Sequence, residues 1–115
     1  MTLDPEAMAR LLEITGGDQA FVDELVDTFF DDATAQVQAL QQASEAGDAE
    51  AIVLPAHSLK SNAVNVGATL LGDLCRALEA DARAGTVPDM TTRIDAVATE
   101  FDGVRAALLA KRAGG

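Results

Sequence analysis

The sequence predicts an all-α protein, an antiparallel up-and-down four-helix bundle with an additional short N-terminal helix. Three observations lead there. Apolar residues recur at steps of three and four, the spacing that puts side chains on one stripe of a helix. Glycine and proline divide the chain into five such stretches, four of them long and joined by short connections. Alanine and leucine supply most of the apolar volume, Trp and Tyr are absent, and no stretch alternates as a strand would.

The first segment is short. Asp4 and Pro5 read as an N-cap and first helical position, and Gly16-Gly17 as the stop. Met8, Leu11 and Leu12 give it an apolar edge, so it is expected to lie across one end of the bundle as a lid. The second runs from about Asp18, its cap, to Glu45, and Gly47 closes it. Val26, Phe30, Ala33, Val37, Leu40 and Ala43 form its stripe, widened by Val22, Leu25 and Phe29. The third runs from about Asp48 to Val66, with Ile52, Ala56, Leu59, Ala63 and Val66 as its buried face. Leu71, Cys75, Leu78 and Ala82 mark the fourth, from about Ala68 to Ala84, with Leu70 and Leu74 beside them and a stop at Gly85. The fifth starts near Pro88-Asp89 and fades before Gly114-Gly115, carrying Met90, Ile94, Val97, Phe101, Val104 and Leu108.

At 115 residues the chain suits one domain spanning 1–115, and 49% hydrophobic against 23% charged residues can collapse into a core. The net charge of −11 repels phosphate backbones and anionic lipid, so neither nucleic acid nor a membrane surface is expected as a partner. The longest run free of polar side chains, Ala51 to Ala56, is far too short to span a bilayer, and the acidic N-terminus is not a signal peptide. The single cysteine, Cys75, excludes an internal disulfide and fits a reducing cytoplasm. Its place on the buried stripe marks it as core.

The third segment holds a second stripe, offset from the buried one: Val53, His57, Lys60, Ser61 and Val64. In a bundle such a face looks outward. It carries the chain's only histidine, one turn from one of only two lysines, among small and apolar neighbours. Neutral imidazole is a nucleophile able to take a phosphoryl group on nitrogen. A lysine three residues on can reach the resulting dianion, a contact worth about 1 kcal/mol in water and several-fold more at a drying interface. Val53, Ser61 and Val64 would let a partner protein dock closely. A surface histidine with no role is the bland alternative. A metal site would need more ligands than His57 and Cys75, and no nucleophile elbow points to a Ser-His-Asp hydrolase.

Residues 56–83 read AHSLKSNAVNVGATLLGDLCRALEADAR. This string resembles the signature of the histidine phosphotransfer family at Ala56, His57, Leu59, Lys60, Gly67, Ala68, Leu71, Leu74, Cys75, Leu78 and Glu79, with no insertion. The resemblance implies a four-helix bundle with an extra N-terminal helix, His57 as phospho-acceptor and Lys60 at the phosphoryl group. By the same analogy Glu79 lies near the histidine and orients its imidazole. Gly67 is then the break between the two central helices. The implied activity is a phosphorelay: a receiver-domain aspartate donates to His57, which passes the group to another receiver aspartate. Partners would be receiver domains of response regulators or hybrid kinases. No cofactor is expected on this chain, with Mg²⁺ held by the receiver, and no glycine-rich phosphate loop suggests ATP-dependent kinase activity.

A monomeric, cytoplasmic and free-standing carrier is the expectation, beginning as the chain does at Met1. The rivals are a helical adaptor that binds receiver or kinase domains without carrying phosphate, and a purely structural bundle. Two positions depart from the family pattern. Ser61 stands where the family usually has glycine. Pro55 either bends the third helix and frees the Ala51 carbonyl, or sits in its first regular turn.

Overall fold

The computed structural model describes Ala9, Arg10, Glu13 and residues 16–113. Most of the first predicted segment, including Asp4, Pro5, Met8, Leu11, Leu12 and the expected lid contact, lies outside the described residues. Ala9, Arg10 and Glu13 are helical, and Gly16-Gly17 form a turn. No strand occurs among the described residues.

Helix α1 spans Gln19–Ala46. Asp18 caps it, its Oδ1 accepting the Phe21 N–H at 3.2 Å. Gly47, in the left-handed region, ends it. The third predicted segment divides into two windings. A 3₁₀ turn covers Glu50–Ile52, and helix α2 covers Val53–Asn65. Asp48 Oδ1 accepts the Ala51 N–H at 3.2 Å and so fixes the start of the turn. Pro55 is the cause of the division. It offers no N–H to the Ala51 carbonyl, so the chain winds tightly there and the regular helix begins just upstream. Of the two arrangements open to Pro55, the first-turn one is adopted, where backbone N–H groups have no helical partner anyway.

Gly67, at φ 75°, separates α2 from helix α3, Thr69–Arg83. Its N–H donates to the Val64 carbonyl at 3.1 Å, and the Ala68 N–H reaches back to the Ala63 carbonyl at 2.8 Å. That pair of bonds needs a left-handed residue between them, which glycine supplies without cost from a Cβ. Helix α4, Met90–Ala113, follows a connection braced by Arg93, which donates to Asp81 at 2.7 Å and to the Pro88 carbonyl at 3.3 Å.

The short connections reverse the chain at each end. Helix α1 packs on α2 and α4, and α3 packs on the same two, closing a four-membered ring. The predicted stripes line its inside: Ile52, Ala56, Leu59, Ala63 and Val66 are all buried, as are Leu71, Cys75, Leu78 and Ala82. Leu40, Leu59, Leu71 and Leu78 are at most 1% exposed, and each such burial is worth about 1.5–3 kcal/mol. One detail of α1 differs from the sequence reading. Phe29, not Phe30, enters the core, where its ring meets Phe101 edge-on at 6.0 Å. Phe30 is half-buried, with the Arg105 guanidinium 5.8 Å from its ring centre. Leu25 and Leu70 remain exposed.

Candidate functional site

Helix α2 uses one face for the core and leaves His57 on the other. The His57 side chain is 51% exposed. Its position follows from the two helical stripes: Ala56 and Leu59 are fully buried, and the residue between them in phase must turn away. From the neighbouring helix, α3 presents Glu79 to it. Among the described residues Glu79 is the one buried charged residue, its side chain only 9% exposed.

Three side chains meet around that carboxylate. His57 Nδ1 lies 3.2 Å from Oε1 and 3.1 Å from Oε2, centred in the fork. Lys60 Nζ donates to Oε1 at 2.8 Å. Arg83 takes the other oxygen, with Nε 3.0 Å and Nη2 2.8 Å from Oε2. An almost buried carboxylate is tolerable only with such partners. The hydrogen bond from Lys60, then that from Arg83, hold the Glu79 carboxyl down at about 2 against an ordinary 4.5, with His57 adding to them and burial opposing. Because the folded value is depressed, this ion pairing stabilises the fold fully above pH 4.5 and is lost only as pH falls toward 2. Near neutral pH Glu79 is therefore an anion.

An ionised carboxylate can only accept hydrogen bonds, so Nδ1 of His57 must carry the ring proton. In the neutral ring the lone pair is then on Nε2, the nitrogen that Glu79 does not touch. The arrangement selects one tautomer and leaves one nucleophilic atom on an exposed ring. The local charge also suits an anion. Lys60 and Arg83 outnumber Glu79, although the chain as a whole carries −11. The acid is concentrated elsewhere: α1 holds Asp23, Glu24, Asp27, Asp31, Asp32 and Glu45 and no lysine or arginine.

His57, Lys60 and Glu79, named from the sequence, are thus brought together. Ser61 is exposed one turn beyond His57, its hydroxyl donating to the His57 carbonyl at 3.3 Å. Val64 is 62% exposed. Val53 is half-buried and packs against the core, and Leu54, which the sequence reading passed over, is 75% exposed. Arg83 was missed as well, although its spacing of four from Glu79 is a readable helical ion pair. Cys75 is fully buried, and burial pushes its thiol up to about 12, so it is an inert core residue. Among the described residues no group of three or more His, Cys, Asp or Glu side chains is placed to hold a metal ion. No helix of the described residues is long and apolar enough to cross a membrane.

The Hpt domain family matches this chain over residues 24–107. Among solved structures, the chain is similar to histidine-containing phosphotransfer protein B (HptB) from Pseudomonas aeruginosa PAO1. The two share 33% sequence identity over 99% of this chain and 96% of that one, with a TM-score of 0.89. No curated protein matches the chain.

Proposed function

Since the chain belongs to the Hpt domain family, we propose that it carries a relayed phosphoryl group on Nε2 of His57, taken from an aspartate of one receiver domain and passed to an aspartate of another. The observation that supports this most is the exposed imidazole tied at Nδ1 to the ionised Glu79. The Nε2 lone pair forms a bond to phosphorus as the bond from phosphorus to the aspartyl oxygen breaks, and the carboxylate leaves with that electron pair. No proton has to move. The positive charge gained by the ring sits at Nδ1–H, against Glu79. Return to the second aspartate reverses each change. Glu79 is a positioning residue here, and Lys60 is the cation of this chain that meets the phosphoryl oxygens. Mg²⁺ belongs to the receiver in this proposal.

The label taken from a phosphorylated receiver should be lost in acid and kept in base, as a phosphorus–nitrogen bond requires. An acid-stable label would place the phosphate on Ser58 or Ser61 and overturn the assignment.

Docking follows from the same face. Leu54 and Val64 flank His57 on α2, at three residues before it and seven after. A groove of about 280 Å³ between Lys60, Val64, Gly72, Asp73 and Arg76 continues the surface onto α3. A receiver that must leave after transfer suits a small interface, toward or below about 1,200 Å² in total. Leu54→Asp and Val64→Asp should each weaken receiver binding by about tenfold, the loss of one central apolar contact. Circular dichroism should stay unchanged, since both side chains are on the surface. Calorimetric titration with a receiver checks this, and unchanged affinity in both variants would place docking elsewhere.

A further inference from the structure

Lys60 has two demands on it. In the free protein it neutralises Glu79 Oε1 at 2.8 Å. With phosphate on His57 it would be drawn to a dianion instead. If it left with nothing in its place, Glu79 would remain almost buried, anionic and short of a cation, beside two further negative charges. The structure holds a second cation that meets this difficulty. Arg83 binds Glu79 on Oε2, the oxygen Lys60 does not use: its Nε donates there, and its Nη2 pairs with the same oxygen at 2.8 Å. The two cations therefore do not compete for a site.

We propose that Arg83 is a positioning residue that keeps Glu79 fixed on His57 while Lys60 moves from Glu79 to the phosphoryl group. This rests on His57 being the acceptor. Several features favour the division of labour. Arg83 follows Glu79 by one helical turn on α3, so the pair is set by the helix itself. Its planar guanidinium sets one hydrogen bond and one close charge contact on a single oxygen, a geometry that a lysine's ammonium on a flexible stem holds less well. Its side chain is 59% exposed, so holding it costs little desolvation. Charge balance agrees. Lys60, Arg83 and the protonated ring together offset Glu79 and a dianionic phosphoryl group, whereas without Arg83 the site is left one charge negative.

Phosphoramidate separates this role from docking, because it phosphorylates histidine with no protein partner. Its phosphorus–nitrogen bond breaks, ammonia leaves and the bond from Nε2 to phosphorus forms. The full chain, Arg83→Ala, Arg83→Lys, Lys60→Ala and the double variant would be followed by phosphorus NMR. Arg83→Ala should slow phosphorylation about tenfold, the effect of one lost charge-assisted contact, and Arg83→Lys should recover part of it. In the Lys60→Ala background the same change should cost more than about tenfold, because Glu79 then keeps no cation to hold it on His57. The Glu79 carboxyl, followed by carbon NMR, should titrate at higher pH in Arg83→Ala while the fold is retained.

Three results would overturn the proposal: a wild-type rate in Arg83→Ala, equal losses in both backgrounds, or a loss seen only with a receiver as donor, which would make Arg83 a docking residue. Failure of the acceptor assignment looks different. The wild-type chain would then gain no label on His57 from phosphoramidate or from a receiver, and both readings would fall.

Discussion

His57→Gln should abolish phosphate acceptance from a phosphorylated receiver and leave the bundle folded. Glutamine keeps a polar side chain of similar reach but has no lone-pair nitrogen able to attack phosphorus. The loss should therefore be complete, not partial. The fold should not notice. His57 is half exposed, lies off the core stripe, and a surface substitution of this kind costs within about 0.5 kcal/mol. The His57–Glu79 contact is one of several on that carboxylate, which keeps Lys60 and Arg83. The measurement is a pair: radiolabel uptake, and thermal unfolding followed by circular dichroism. Retained uptake with the same melting behaviour would show that another residue carries the phosphate.

Lys60→Ala should slow transfer by about one to two orders of magnitude, since 1.36 kcal/mol is a factor of ten in rate and a partly desolvated charge contact supplies about that to twice that. The structure sharpens the reason the effect stops there. Lys60 is paired with Glu79 in the resting protein, so its removal takes one of two cations from that carboxylate. Arg83 still grips the other oxygen, and His57 keeps its tautomer. The site is weakened in charge but not dismantled. Affinity for an unphosphorylated receiver should change much less than the rate. Transfer by radiolabel and binding by calorimetry distinguish the cases. A variant that binds far more weakly yet transfers normally at saturation would make Lys60 a docking residue.

The bundle was legible because helical periodicity is dense and regular here. The stripe from Ile52 to Val66 could be read residue by residue, and with it the fact that His57 faces outward. What periodicity does not contain is which neighbouring helix covers which edge of an exposed face. His57 belongs to two stripes, one through Val53 and Lys60 and one through Leu54 and Ser61. Helix α3 lies along the first, so Val53 is drawn toward the core and Lys60 is captured by Glu79, while Leu54 is left in the open. The choice between Phe29 and Phe30 has the same origin: adjacent residues on a wide stripe are separated only by where Phe101 of the facing helix sits. Pro55 marked the start of regular α-helix, but the 3₁₀ turn before it depends on the Asp48 cap as well, and spacing alone does not show that.

Glu79 and Arg83 show the limit from the other side. The resemblance to the histidine phosphotransfer signature pointed to Glu79, and its depth in the site comes from packing: a carboxylate 9% exposed is defined by its partners. Arg83 could have been read as an i, i+4 partner on the helix, yet nothing in the sequence says that the pair is turned inward onto His57 and not out to solvent.

The most direct measurement is a relay chase: one receiver is charged with radiolabelled phosphate, mixed with this chain, and followed by a second, uncharged receiver. The account predicts that label passes to the chain, is acid-labile while it is there, is absent from the His57→Gln variant, and then leaves for the second receiver. A chain that binds the charged receiver but never takes up label, from any receiver tried, would contradict it and leave a helical adaptor in its place.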